Sequence, residues 1–291
     1  MKTLVRSSGL IGLATVAAYA IVLVGQTLWG VLAMVNVKFT PAIPWSAAVM
    51  PFVLVALVAF LAGRIGPKGE SRRAMVPLAP VSAGAWGWSL AAGGAAVIAA
   101  AALWTVMATL VRVPPNVLTD LKGVPMTTVI PILLVSIAAA PLSEEIAFRG
   151  YAMSLLRRRF SPTAALVITS VIFAAAHLTQ GLYAPKLIVY LLAGLAFGYV
   201  ALRTGSLLPA MVVHSFADFV FFTTVWSHDA GRRLISEGGA DGWFFANLAL
   251  LAVFTPLALL GFRQLVRATG GERLVPSPAI SAPGVGATEF G

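Results

Sequence analysis

The sequence contains no cysteine and very few charged residues. Without Cys there is no disulfide, no thiolate metal site and no cysteine nucleophile. Asp, Glu, Lys and Arg together make up only 10% of the 291 residues, whereas a soluble domain carries about 25%. Because so few charges cannot cover a water-facing surface, the composition argues against a soluble enzyme, a disordered chain and a nucleic-acid-binding domain.

Long apolar runs take the place of the missing charges. The chain is 59% hydrophobic, and its mean hydropathy is +0.92. A helix needs about 20 apolar residues to cross a bilayer, and the candidate spans are 9–35, 46–63, 84–110, 126–156, 163–180, 187–202, 206–226 and 243–262. We therefore predict an all-α polytopic membrane protein with about eight transmembrane helices. Its membrane-embedded domain covers 1–267, and a disordered cytoplasmic tail follows at 268–291.

The net charge of +10 predicts an orientation in the membrane rather than a nucleic-acid partner. Most of the 20 Lys and Arg residues fall in alternate loops, on one side of the predicted topology. The positive-inside rule then places both the N-terminus and the C-terminus in the cytoplasm. The excess of Arg over Lys and the heavy use of Ala are typical of a GC-rich bacterium. We expect a bacterial plasma-membrane protein whose partner is the lipid bilayer.

Six ionisable residues lie inside the predicted spans, where each costs several kcal/mol and usually has a function. They are Glu144, Glu145, Arg149, His177, His214 and Asp218. All six belong to only three spans. With a rise of about 1.5 Å per residue, the first Glu and both His residues fall near the middle of the bilayer. The sequence therefore predicts that they meet in one site.

Helical spacing divides the charges of the span 126–156. Glu145 and Arg149 are four residues apart with Glu first, which favours an ion pair on one helix face. Glu144 points about 100° away from Glu145, so we expect it to be left free as a general base. Pro141, just upstream, is expected to break the helix and open room for water or substrate. The alternative is that the pair is only structural, and that the histidines are satisfied polar residues in helix interfaces.

Three motifs follow one another in order along three of the spans: Glu144-Glu145-x-x-x-Arg149, Phe173-x-x-x-His177 and His214-x-x-x-Asp218. Their order resembles the CPBP family, which contains CAAX prenyl endopeptidases and bacteriocin-processing or abortive-infection-type proteins. The resemblance implies a CAAX-endopeptidase-like helical core at about 126–226.

The resemblance also implies a set of roles for these residues. Glu144 activates a water with help from His177, and His214 with the residue four positions later stabilises the oxyanion. Supporting roles fall to Glu145, Arg149 and Phe173.

Asp218 departs from the family pattern, which usually has Asn there. An ionised Asp cannot donate a hydrogen bond to an oxyanion, so Asp218 is protonated, orients His214 or binds a metal. The candidate ligands for a divalent metal such as zinc are Glu144, His177, His214 and Asp218. A metal-free glutamate mechanism is the alternative, since the chain has no HExxH motif.

The function predicted from these motifs is hydrolysis of a peptide bond in a membrane-associated protein or peptide. The candidate substrates are a leader peptide, a bacteriocin precursor and a membrane-anchored regulator. A non-enzymatic membrane immunity or scaffold protein is one alternative. A proton-coupled transporter is another, because intramembrane Glu and His residues also build proton relays. The transporter reading predicts inverted repeats, and the sequence contains no such pairing.

Overall fold

The computed structural model describes residues 2–112, 121, 123–180, 183–225 and 232–270. Within these ranges every regular element is helical, and the only sheet-like contact is one antiparallel bridge between Leu78 and Ser206. The helices are α1 (Lys2–Phe39), α2 (Trp45–Leu61), α3 (Gly69–Met75), α4 (Ala83–Leu110), α5 (Met126–Leu156), α6 (Pro162–Ala176), α7 (Ala184–Thr204), α8 (Leu208–Val225), α9 (Ile235–Gly238) and α10 (Gly242–Ala268). The predicted all-α class is confirmed.

The eight predicted spans correspond to eight apolar helices of unequal length. Six of them, α1, α4, α5, α7, α8 and α10, are long and apolar enough to cross a membrane. The other two, α2 and α6, have 17 and 15 residues and are shorter apolar helices. The count of eight is therefore approximate as a number of full spans. The predicted tail, 268–291, lies outside the described residues from position 271 onward.

Local sequence explains where the site-bearing helices begin and end. Ser161 precedes α6, and its hydroxyl accepts a hydrogen bond from the backbone N–H three residues later at 3.2 Å. Pro162 occupies the first helical position, where its missing N–H is harmless. α7 ends at Gly205, whose φ of +66° is left-handed and turns the chain directly into α8.

Helix α5 carries Glu144 and changes its winding beside that residue. It is α-helical over Met126–Glu145, π-helical over Ile146–Ala152 and α-helical again over Met153–Leu156. The prediction that Pro141 breaks the helix is wrong, because the helix continues through that residue as far as Glu145. Packed neighbouring helices let a membrane helix tolerate such a proline. The wider turn starts just after Glu145 instead, and π turns often accompany functional sites.

Small residues let the site-bearing helices approach closely. A Cβ built on Gly194 of α7 would lie 3.1 Å from the Cα of Ser170 in α6. A Cβ on Gly93 of α4 would lie 2.5 Å from a methyl group of Val213 in α8. The contact at Gly93 fixes the backbone beside His214, the residue that follows Val213. The outer surfaces are apolar, as in Phe52 and Leu23, which are 78% and 68% exposed. The chain is a multi-pass membrane protein.

Candidate active site

The predicted site residues come together along one cavity. The cavity has a volume of about 1620 Å³, and most of its lining is apolar. The predicted residues on its wall are Glu144, Phe173, His177, His214 and Asp218. The other two, Glu145 and Arg149, are buried beside it, at 0% and 2% exposure. Residues far apart in the chain, on α5, α6 and α8, therefore meet as the motifs predicted.

Glu145 holds two partners with the same oxygen. Its Oε1 accepts a hydrogen bond from Arg149 Nη1 at 2.9 Å, which confirms the predicted ion pair within α5. The same Oε1 lies 2.8 Å from Nδ1 of His214 on α8. The second arm of the guanidinium, Nη2, donates to the carbonyl oxygen of Gly194 at 3.1 Å. Glu145 therefore links α5 to α8 through His214 and also pairs with Arg149 within α5.

His214 has a fixed orientation. Because a carboxylate can only accept, Nδ1 carries the hydrogen in the contact with Glu145. Nε2 then faces two other carboxyl groups, at 3.7 Å from Glu144 Oε2 and 3.8 Å from Asp218 Oδ1. Both distances exceed that of a hydrogen bond. The hydrogen bond that orients His214 therefore comes from Glu145 rather than from Asp218.

His177 stands at the carboxyl end of α6 with its ring held on two sides. Its Nδ1 lies 2.9 Å from the carbonyl oxygen of Phe173, and since a carbonyl only accepts, this nitrogen carries the hydrogen. The ring also stacks on Tyr190, with centroids 3.8 Å apart. These contacts leave Nε2 as the ring nitrogen available to the cavity.

Phe173 forms the partition between the two histidines. Its ring centroid lies 4.8 Å from that of His177 and 5.9 Å from that of His214. The guanidinium carbon of Arg149 sits 4.5 Å from the same centroid, which is within cation–π range. Phe173, only 1% exposed, therefore fixes the spacing between the two imidazoles.

Sequence reasoning missed two residues on α1. Gln26 Nε2 donates to Glu144 Oε1 at 3.1 Å, and Trp29 Nε1 donates to Gln26 Oε1 at 2.8 Å. The expectation that Glu144 is left without a partner is therefore wrong. The available signal was the amide of Gln26 inside the first apolar run, because polar side chains as well as ionisable ones are costly there. Phe197 was also missed, and its ring stacks on His214 at 4.4 Å.

The carboxyl and imidazole groups of the cavity include the residue types that bind zinc. Among the described residues, no group of three or more His, Asp and Glu side chains is arranged to hold a metal ion. The four ligands expected for zinc do not form a ready site in this arrangement. The zinc alternative stays a prediction.

Comparison with known proteins bears on the same part of the chain. The family model described as type II CAAX prenyl endopeptidase Rce1-like matches residues 126–220. The predicted family resemblance is confirmed over this segment. The Rce1-like segment, residues 126–220, runs from the start of α5 into α8 and contains all seven predicted site residues. It does not reach α1, and so leaves out Gln26 and Trp29.

The matched family is one of endopeptidases, which supports a hydrolytic enzyme. No curated protein and no solved structure gives a significant match.

Proposed function

We propose that the protein is an intramembrane endopeptidase in which Glu144 activates a water molecule. The observation that carries the proposal is the pairing of Glu144 Oε2 with His214 Nε2, 3.7 Å apart on the wall of a large cavity. A carboxylate and an oriented imidazole facing a cavity are the groups that general acid–base hydrolysis requires. The match of the Rce1-like segment to a family of endopeptidases supports the same reaction.

In the proposed reaction Glu144 takes a proton from the water molecule. The oxygen of that water attacks the carbonyl carbon of the scissile peptide bond at the same time. His177 supports the attack through Nε2, which can accept a hydrogen bond from the same water. The tetrahedral intermediate then breaks its C–N bond. Glu144 returns the proton to the departing nitrogen, so the products are a carboxylic acid and an amine and the enzyme is unchanged.

His214 is proposed to stabilise the oxyanion as an imidazolium. Its Nδ1–H is already committed to Glu145, so only a protonated Nε2 can donate to the substrate oxygen. Glu145 lies against both His214 and Arg149 and balances this added positive charge. Asp218 acts from the other side of Nε2, and in its protonated form it can donate to the same oxygen as an Asn would.

The cavity favours a substrate that is part polypeptide and part apolar. Small-molecule sites usually enclose about 300–1,000 Å³, and this cavity, at about 1620 Å³, is larger. Its mostly apolar lining suits a lipid-anchored or membrane-inserted peptide. The printed name of the matched family refers to CAAX prenyl substrates, so a farnesylated CAAX peptide is the natural first probe. Leader peptides, bacteriocin precursors and membrane-anchored regulators are the alternatives.

The test is a comparison of wild type with Glu144→Gln, which keeps the shape of the side chain but removes the base. Each protein is reconstituted in liposomes with an internally quenched farnesylated CAAX peptide. In parallel, membranes from cells producing each protein are profiled for new peptide termini, which requires no assumption about the substrate. We expect cleavage by wild type and a loss of at least about a hundredfold in Glu144→Gln, the range found when a general base is removed.

Glu70→Gln is the matched control, because Glu70 is exposed on α3 and does not line the cavity; it should cleave like wild type. Metal analysis of the same active samples decides between the glutamate and zinc alternatives. Equal cleavage by wild type and Glu144→Gln, or no wild-type-dependent termini in either experiment, would contradict the proposal. The second result would favour the scaffold or transporter alternatives.

A further inference from the structure

Two residues of α1, Trp29 and Gln26, form a chain of hydrogen bonds that ends at Glu144. Helix α1 lies outside the Rce1-like segment. We propose that Gln26, oriented by Trp29, is a positioning residue that holds one oxygen of Glu144 so that the other oxygen, Oε2, takes the proton from water. This inference rests on the proposed function, because it assigns Glu144 its role as the base. It extends the site to a helix that the family match does not cover.

Trp29, the first donor of this hydrogen-bond chain, determines which atom of the Gln26 amide faces Glu144. An indole N–H can only donate, so Trp29 Nε1, 2.8 Å from Gln26 Oε1, identifies that atom as the amide oxygen. The amide nitrogen of Gln26 must then be the atom that faces Glu144. Its N–H donates to Oε1 of the carboxylate at 3.1 Å. A flipped amide would break both hydrogen bonds.

The hydrogen bond from Gln26 gives the two carboxylate oxygens of Glu144 different surroundings. Oε1 accepts from Gln26, while Oε2 lies 3.7 Å from His214 Nε2 with no direct hydrogen bond to it. The Glu144 side chain is 11% exposed, so little solvent competes for either oxygen. A water that approaches Glu144 from the cavity would therefore meet Oε2, whose proton-accepting lone pairs remain available.

Three further contacts lock α1 in this position. The backbone at Gly25 is so close to α5 that an added Cβ would lie 2.6 Å from Ser143 Cβ. The Tyr19 hydroxyl donates to the carbonyl oxygen of Ile172 on α6 at 3.1 Å. The Tyr19 ring also packs edge-on against Phe148, with centroids 6.5 Å apart.

Helical periodicity places the residues of α1 that line the cavity on one face of the helix. Val22, Gln26 and Trp29 are spaced four and three residues apart, so they share one face of α1. All three line the cavity with Glu144. Gln26 is therefore part of the cavity wall and not a solvated residue that reaches Glu144 from outside.

The test uses Gln26→Met, which keeps an unbranched side chain of similar length but cannot donate to Glu144. With the farnesylated CAAX peptide in liposomes, we expect kcat to fall about tenfold, as for the loss of a hydrogen bond to a charged group. KM should stay within about twofold. The matched control is Gln264→Met, because Gln264 lies on α10 outside the cavity lining; it should leave both constants unchanged.

Trp29→Phe completes a double-mutant cycle. Alone it should lower kcat by a smaller factor, since the amide of Gln26 loses its anchor. In the Gln26→Met background it should cause no further fall, because Trp29 acts through Gln26. Trp88→Phe, at an exposed position of α4, is the control. Additive effects of the two substitutions, or a change confined to KM, would overturn the positioning role.

Failure of this inference is distinguishable from failure of the proposed function. If Glu144→Gln is inactive while Gln26→Met cleaves like wild type, only the positioning role fails. If the farnesylated peptide is not cleaved by wild type, an infrared difference spectrum decides. The Gln26→Met minus wild-type spectrum should contain a carboxylate stretching band that disappears when both proteins also carry Glu144→Gln. An unchanged carboxylate region refutes the contact itself.

Discussion

At the scale of single residues, burial distinguishes the Glu145–Arg149 ion pair from the exposed pair of Glu237 and Arg112. The two side chains are 0% and 1% exposed, whereas those of Glu237 and Arg112 are 43% and 67% exposed. A buried carboxylate that loses its partner stays desolvated and uncompensated. An exposed carboxylate regains water instead. The same type of contact should therefore have very different energetic weight at the two places.

The substitution Arg149→Leu should lower the free energy of unfolding by about 3–5 kcal/mol, because it removes the guanidinium from the buried Glu145 and leaves only the contact with His214. Arg149→Lys should restore only part of the loss, since one ammonium cannot replace the two arms that contact Glu145 and Gly194. The measurement is the midpoint of thermal unfolding in detergent, followed by the loss of the monodisperse chromatographic peak.

Arg112→Leu provides the comparison, with an expected effect of about 0–1 kcal/mol for an exposed pair. Equal shifts in the two leucine variants would mean that burial does not set the strength of the pair at Arg149.

Spacing along the helix predicted the Glu145–Arg149 pair because residues four apart always share a helix face. It could not predict that Glu145 also binds His214, which is 69 residues away. That contact depends on how α5 and α8 pack against each other. The same limit hid Gln26, whose partner Glu144 is 118 residues distant.

At the scale of elements, α1 contributes to the site through its packing against α5. The contact is closest at Gly25, where an added Cβ would be 2.6 Å from Ser143 Cβ and 3.0 Å from its Oγ. Both atoms belong to the side chain of Ser143, the residue that precedes Glu144 on α5. Any separation of the two helices at this point would also lengthen the contact between Gln26 and Glu144.

We expect Gly25→Ala to destabilise the protein by about 1–3 kcal/mol through overpacking and to lower endopeptidase activity. Combining it with Ser143→Gly removes the clashing Cβ and should recover most of the activity. Thermal unfolding and cleavage of the farnesylated peptide are the two measurements.

Gly30→Ala, on the same helix, is the control, since nothing lies within 4 Å of a Cβ built there. A loss in Gly25→Ala that the second substitution fails to recover would argue against the helix contact as the cause.

At the scale of the whole molecule, the scarcity of charge defines both the membrane class and the site. The basic residues in alternate loops predict that both termini face the cytoplasm. The absence of native cysteine makes this orientation directly measurable, because a single introduced thiol is the only one in the protein.

We expect Ser71→Cys on α3 to react with a membrane-impermeant maleimide only after the cells are permeabilised. Ser236→Cys on α9 should react in intact cells. Both positions are exposed, so labelling should report the side of the membrane and not burial. Labelling with the opposite pattern would reverse the predicted orientation.

The sequence alone determined the all-α membrane class, the positions of the apolar helices and the motif residues of α5, α6 and α8. These properties depend on composition and on spacing within one helix, so they can be read locally. It did not determine that α5 continues through Pro141, because neighbouring helices decide whether a proline breaks a buried helix.

Only the tertiary structure decided which groups touch Glu144 and His214. The two oxygens of Glu144 face Gln26 and His214, which lie on α1 and α8. Glu145 orients His214, although the motif had paired it with Arg149 alone. Contacts of this kind depend on the close approach of helices at small residues such as Gly25. That approach is set by packing between distant parts of the chain, which periodicity within a single helix does not contain.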